Sequence, residues 1–397
     1  MEYSVLTEQD SDVWPLPSES EIRSPIPITT FLFKTASRCN LDCDYCYIYH
    51  KADTSWREKP KRMSREVADR ALDRVSEHVE EHSLPEITVT VHGGEPLLAG
   101  HDLIEYIFKK AQAYSDCKVD LGMQTNGVLV TDETIQLFDS FGATLGISFD
   151  GHREANDRHR RYRHGKSSFD EVKATLEQLN ASDAGRRVFS GFLSVIDLRN
   201  DPVDIYDYLS DFNPRSIGFL LPGATHGDYP PGKEDFTHTP YADWLIRLFN
   251  YWFSLRKESP PIQYFEDIIS LLLGGSSDSE SLGLSPVNLA VIETDGTIEA
   301  VDTLKVAYDG APELGLSVYD SSFDDALRHP AVLSRMQGAD SRAEECRRCP
   351  LLEVCGGGYI PHRYSEERGF ANPSVYCHDL AKLILHIREK VEAELKA

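Results

Sequence analysis

Apolar and polar positions alternate between two rhythms along this chain. ITTFLFKTAS (28–37) is a run of apolar and β-branched residues that predicts a buried strand. SREVADRALDRVSEHVEEH (64–82) then places Val67, Ala71, Val75 and Val79 four apart behind Ser64, which predicts an amphipathic helix with its own N-cap. EITVTVHGGEPLL (86–98) returns to the strand rhythm and runs into a glycine turn, so the three segments make a parallel crossover. The alternation continues with helices at 102–114, 132–141, 169–181 and near 202–211, and with strands at 119–127, 143–151, 188–197 and 215–224. Six parallel strands with helical crossovers make this an α/β chain, and the pattern alone allows either a barrel or a doubly wound open sheet.

The flanks read differently. Residues 1–27 are proline-rich and irregular, 225–239 is loop-like, and YADWLIRLFNYWFSLRK (241–257) is a strongly apolar-periodic helix. VNLAVIETDGTIEAVD (287–302) predicts a hairpin around the Asp295-Gly296 turn. The expected organisation is therefore an N-terminal segment at 1–27, a barrel at 28–235, a helical bridge at 236–284 and a C-terminal domain at 285–397.

Composition narrows the class. A length of 397 residues suits two domains or one large domain with an appended module. The hydrophobic content of 41% is ordinary for a globular protein, and neither a long apolar run nor a basic-then-apolar N-terminus is present. No membrane span or signal peptide is expected. A formal charge of −24 argues against a sequence-independent nucleic-acid binder and is compatible with a basic peptide partner. Seven of the eight cysteines fall in two tight clusters, which reads as metal binding in a reducing cytoplasm; Cys117 stands apart without an assigned role.

The first cluster, CNLDCDYC, spaces Cys39, Cys43 and Cys46 so that three thiolates can hold three irons of a cubane cluster, leaving the fourth iron open to a small molecule. It follows the first strand, at the barrel end where chemistry is expected. At the next strand end Gly93, Gly94 and Glu95 form GGEP, where missing side chains let backbone approach a ligand. Later strand ends present Gln124, Thr125 and Asn126, then Ser148 and Asp150, followed by an arginine-rich stretch at 154–165. The second cluster, Cys346, Cys349 and Cys355 in CRRCPLLEVC with Cys377 further on, supplies four thiolates for an iron-sulfur cluster or a zinc ion.

Taken together, CNLDCDYC and GGEP resemble the radical S-adenosylmethionine (SAM) superfamily. The resemblance implies a partial (β/α)6 TIM-like barrel and a cluster whose open iron chelates SAM. It further implies that Tyr45 packs near the adenine and that Gly93, Gly94 and Glu95 meet the SAM ammonium. Ser148 and Arg160 would contact the ribose and carboxylate, with Arg161 and Arg163 close by; Asn126 and Asp150 complete the set. The C-terminal part resembles the SPASM iron-sulfur domain of peptide-modifying radical SAM enzymes. Three cysteines of a full SPASM domain are missing, with Asp302 and Tyr359 standing at two of their positions, so two [4Fe-4S] clusters are expected rather than three.

CGGGYIPHRYSEERGFANPSVYC and TDGTIEAVDTLK look like the FxsB-type maturases, which implies a C–C crosslink, a cyclophane, on a ribosomally made precursor peptide. Flavodoxin or ferredoxin would donate the electrons, and Asp302, Glu266 and His362 are candidates for a proton acceptor. Thioether formation, or a sulfatase-maturase type of oxidation, is the alternative on the same architecture; a non-enzymatic electron carrier or sensor is another.

Overall fold

The computed structural model describes residues 13–255 and 259–396. Residues 1–12 of the expected N-terminal segment and 256–257 of the expected helix lie outside the described residues. Strands β1 (Thr30–Ala36), β2 (Glu86–Gly93), β3 (Lys118–Thr125), β4 (Thr144–Ser148), β5 (Phe189–Val195) and β6 (Ser216–Leu220) are parallel, each paired with the next. Between them run helices α1 (Arg65–His82), α2 (His101–Ala111), α3 (Asp132–Phe141), α4 (Arg153–His159), α5 (Phe169–Ala181), α6 (Asp183–Val188) and α7 (Pro202–Ser210). A doubly wound sheet reverses its strand order at a switch point. Here the order from β6 to β1 follows the sequence without reversal, and the sheet is the partial barrel expected from the sequence.

The hairpin expected at 287–302 forms as β7 (Leu289–Ile292) and β8 (Thr297–Glu299), but it is not a separate layer. β7 pairs in parallel with β1, and β8 and β9 (Glu313–Ser317) continue antiparallel, giving nine strands in the order β6-β5-β4-β3-β2-β1-β7-β8-β9. Helices α8 (Pro240–Leu255), α9 (Gln263–Leu272) and α10 (Cys377–Lys396) lie beyond β6. The buried pair Lys233–Asp379, at 2.7 Å, ties α10 to the loop before α8, and Asp379 also accepts the Ala242 amide. Among the described residues no helix is long and apolar enough to cross a membrane.

Helix α1 shows how local sequence sets the frame. The Ser64 side chain accepts from Val67 N at 3.1 Å, and the face carrying Val67, Ala71, Leu72 and Val75 is buried against the sheet. On that face His78, with His82 and Asp324, forms a group of metal-ligand type. However, His78 Nε2 accepts the Ile28 amide at 3.1 Å, so in the neutral ring Nδ1 carries the proton and faces Asp324 at 3.0 Å. The group is a hydrogen-bonded clamp between α1, the approach to β1 and the Phe323–Ala326 turn.

Candidate active site

The C-terminal edge of the parallel sheet opens into a cavity of about 520 Å³. Cys39, Cys43 and Cys46 line it, with Gly93, Gly94, Asn126, Ser148 and Arg160 beside them. The cysteine loop is stitched to both neighbours. Gly94 N donates to Ala36 O at 2.8 Å and Glu95 N to Arg38 O at 3.0 Å, drawing GGEP against the root of the loop. A Cβ on Gly94 would fall 2.5 Å from the Arg38 carbonyl oxygen, so only glycine permits this approach. On the other side Asp42 N donates to Arg161 O at 2.7 Å. Of the three candidate arginines, Arg160 is the one in the cavity wall, while Arg161 and Arg163 are exposed.

Behind this wall stand charged groups that position it. Arg160 Nη1 donates to Tyr45 Oη at 2.8 Å, and Tyr45 Oη donates to Asp150 Oδ2 at 2.6 Å. Asp150 also accepts the Val195 amide at 3.1 Å; burial raises its pKa against the pull of Arg160. Asp150 is buried outside the cavity lining, so it holds Tyr45 and Arg160 in place. Glu95 is likewise fully buried and accepts from Leu97 N, Thr125 Oγ1 and Asn126 N, which fixes the β2 and β3 ends together. Asn126 then reaches Asn40 Oδ1 at 2.7 Å and Cys39 Sγ at 3.6 Å.

The donor set fits an iron-sulfur cluster and SAM. All eight cysteines are free. Burial pushes the Cys39 thiol up to about 12 and Cys43 to about 11, so ionised thiolates at this loop call for a bound metal charge. Arg160 Nε is buried without a partner, an idle donor in the wall beside the loop.

At the second cluster, Cys346, Cys349, Cys355 and Cys377 are buried or half-buried. Four thiolates around one zinc ion would stand about 4 Å apart. The same four thiolates can instead close the coordination of a [4Fe-4S] cluster. Two buried arginines flank these thiols. Arg342 donates to Gly356 O at 2.6 Å and Arg363 to Gly357 O at 3.1 Å. Burial brings Arg363 down to about 10, and the cysteines beside it pull the other way, so the pair suits a centre with net negative charge.

The proton-acceptor candidates separate. Glu266 is exposed and outside the lining. His362 lines the cavity, with burial and then Arg363 taking its pKa down to about 3. Asp302 is buried behind the wall, where Tyr47 Oη donates to it at 2.9 Å and Lys34 stands 3.3 Å away. Two cavity residues carried no signal in a linear reading: His92, one step before GGEP, and Tyr47, one step after Cys46. The far wall comes from β5, the turn after β6, α9 and residues 279–281.

The fold and the site are similar to those of radical SAM proteins. Residues 33–208 match the model of the Radical SAM superfamily, and SAM and [4Fe-4S] clusters are its cofactors. Beyond that segment the chain is similar to whole enzymes. A serine-type anaerobic sulfatase-maturating enzyme of Bacteroides thetaiotaomicron is 24% identical over 362 residues, 85% of this chain and 84% of that protein. A cysteine-type one of Clostridium novyi is 23% identical over 362 residues, covering 88% and 92%. Among solved structures, native anSMEcpe with bound AdoMet and a Cp18Cys peptide superposes with a TM-score of 0.76 at 21% identity, covering 91% of this chain and 99% of that one.

These relatives overturn the expectation of a cyclophane-forming, FxsB-like crosslinker, since matches spanning most of the chain are sulfatase-maturating enzymes. Part of the CGGGYIPHRY stretch behind that expectation has a packing role: glycines 356–358 have positive φ and turn their carbonyls onto Arg342 and Arg363 beside the second cysteine cluster.

Proposed function

We propose that this protein oxidises a serine or cysteine side chain of a peptide or protein at its β-carbon, in the manner of sulfatase maturation. The observation that carries the reading is the single cavity that runs from the three-cysteine loop past Ser148 and Arg160 to His92, Tyr47 and a wall built by α9 and residues 279–281. Similarity to sulfatase-maturating enzymes over 85% and 88% of the chain supports it. When bound, SAM and the cluster at Cys39, Cys43 and Cys46 supply a 5'-deoxyadenosyl radical that removes a hydrogen atom.

The chain's own residues do the rest. Gly93 and Gly94 let the GGEP turn close against Ala36 and Arg38 at the root of the cysteine loop, and Arg160, held by Tyr45 beside Asp150, would meet the SAM carboxylate. Leu193, Val195, Phe219 and Leu221 in the wall keep water from the reacting carbon. Cys346, Cys349, Cys355 and Cys377 hold a second cluster, and an electron donor of flavodoxin or ferredoxin type feeds the first. The test is anaerobic incubation of reduced, iron-loaded protein with SAM and serine or cysteine peptides. Formation of 5'-deoxyadenosine together with conversion of that side chain to an aldehyde is expected; deoxyadenosine formed with the peptides unchanged at Ser and Cys refutes the reading.

A further inference from the structure

The oxidation proposed above releases a proton, and the ends of three neighbouring strands form a place for it. β7, β1 and β2 run parallel, with Phe33 opposite Ile292 and Lys34 opposite His92. One residue past that first pair, Glu293 comes level with Lys34, so Glu293, Lys34 and His92 stand abreast at the cavity end of the sheet. Asp302, from the turn after β8, closes over them: Lys34 Nζ is 3.1 Å from Glu293 Oε1 and 3.3 Å from Asp302 Oδ2. Tyr47 Oη donates to the same Asp302 oxygen at 2.9 Å, and His92 Nδ1 faces it at 3.7 Å. His92 Nδ1 is buried and has no hydrogen-bond partner. His92 and Tyr47 line the cavity; Asp302 does not.

We propose that His92 is the general base that takes the proton of the side chain being oxidised, and that Asp302, behind it, is the anion that holds the resulting imidazolium. The assignment rests on the reaction proposed above. In that reaction a hydrogen atom leaves the β-carbon for 5'-deoxyadenosine. The hydroxyl or thiol proton then passes to His92, one electron passes to an iron-sulfur acceptor, and the carbon–heteroatom double bond forms. Nδ1 faces the carboxylate, which leaves Nε2 for the substrate, as in other carboxylate–histidine pairs.

The neighbouring charges agree with this division of labour. Burial raises the Asp302 pKa, but Lys34, His92, Tyr47 and Lys305 outweigh it and bring it down to about 2, so Asp302 is a fixed anion and a weak proton acceptor. Burial lowers the His92 pKa, with Asp302 opposing, Lys34 reinforcing and Glu293 opposing. His92 therefore rests neutral, ready to accept. A carboxylate that already receives Tyr47 and pairs with Lys34 cannot also turn into the cavity without leaving Lys34 underpaired.

The test uses iron-loaded enzyme and a peptide deuterated at the reacting β-carbon, so that deuterium in 5'-deoxyadenosine counts hydrogen abstraction and aldehyde counts completed turnover. His92→Gln, with His92→Asn as a second variant should the first fold poorly, is expected to lower aldehyde per deuterated deoxyadenosine by about 100-fold, the usual share of a general base. Asp302→Asn removes the anion that favours the imidazolium, so the pH limb of product formation is expected to move to lower pH. A purely structural Asp302 would leave that limb in place. Aldehyde per deuterated deoxyadenosine within about threefold of wild type in His92→Gln overturns the assignment. So does loss of aldehyde in Asp302→Asn alone, which would make Asp302 the base. Wild-type enzyme that transfers no deuterium from either Ser or Cys peptides refutes the proposed function itself, a result distinct from both.

Discussion

Replacing Glu299 by glutamine is expected to stabilise this protein above neutral pH and to change it little under mildly acidic conditions. Glu299 is 1% exposed; its Oε2 is buried without a partner, and its Oε1 lies 3.5 Å from Lys305 Nζ. Burial lifts its pKa, Glu293 lifts it further, and Lys305 and Lys34 offset only part of this, leaving it at about 7 against an ordinary 4.5. Between those two values the folded chain keeps a proton that the unfolded chain has released. Stability therefore falls as pH rises through this window, and the loss is complete above about 7. Some 2.5 units (7 minus 4.5) at about 1.4 kcal/mol each make the penalty about 3 kcal/mol. Glutamine fills the same space without a charge and removes the penalty. Anaerobic denaturant unfolding of both proteins, at about pH 5 and about pH 8, measures it as a midpoint difference that opens with pH. If the two proteins lose stability in parallel between those pH values, Glu299 is ionised at no cost and the reasoning fails.

Lys34→Met leaves Glu293 and Asp302 buried with one cation fewer, and a loss of about 3–5 kcal/mol in unfolding free energy is expected from stripping one partner of a buried pair. Gly94→Ala would set a Cβ 1.8 Å from Tyr49 Oη and 2.5 Å from Arg38 O; SAM binding measured by calorimetry is expected to be lost, while unchanged affinity would remove GGEP from the SAM site. Iron analysis of the reconstituted chain is expected to give about eight irons, falling to about four in Cys355→Ala, whereas about twelve in wild type would contradict two clusters. Ser64→Ala removes the cap bond to Val67 N and is expected to cost about 1 kcal/mol, read from thermal unfolding.

The parallel strands and their helices were legible because each buries one face and writes it in period. Helix α1 begins after Ser64 and β1 covers seven of the ten residues in the apolar run, as the pattern requires. The cysteine loop and GGEP were legible for a different reason: close ligand approach permits few residue types, and those types stand out. What was not legible is pairing across distance. That the hairpin would continue the barrel through β7 and β1 depends on a register spanning some 260 residues, and no local period encodes it. His92 and Tyr47 looked like strand and loop residues, and only the convergence of Asp302 onto β1 and β2 gives them a role.

One local signal does survive hindsight. Lys34 interrupts an otherwise apolar strand, and a lysine in a buried strand is seldom found unpaired. Its partners Glu293 and Asp302 lie on the C-terminal hairpin and the turn after it, where the resemblance expects cysteines. Asp302 and Tyr359, at two of the vacated positions, are joined through Thr303, whose hydroxyl accepts from Tyr359 Oη. Lys305, Asp53 and Glu299 extend the ionic packing beyond them. At these positions, where the resemblance expects ligands of a further cluster, the chain thus carries an anion and hydrogen-bonding groups, beside the cavity of the proposed oxidation. In the proposed oxidation, electron transfer falls to a cluster at the four cysteines 346, 349, 355 and 377, with Arg342 and Arg363 set beside them. The two tasks of the proposed oxidation, taking the electron and taking the proton, fall to separate parts of the chain: the electron to the second cysteine cluster, the proton to His92, backed by Asp302, at the seam of β7, β1 and β2.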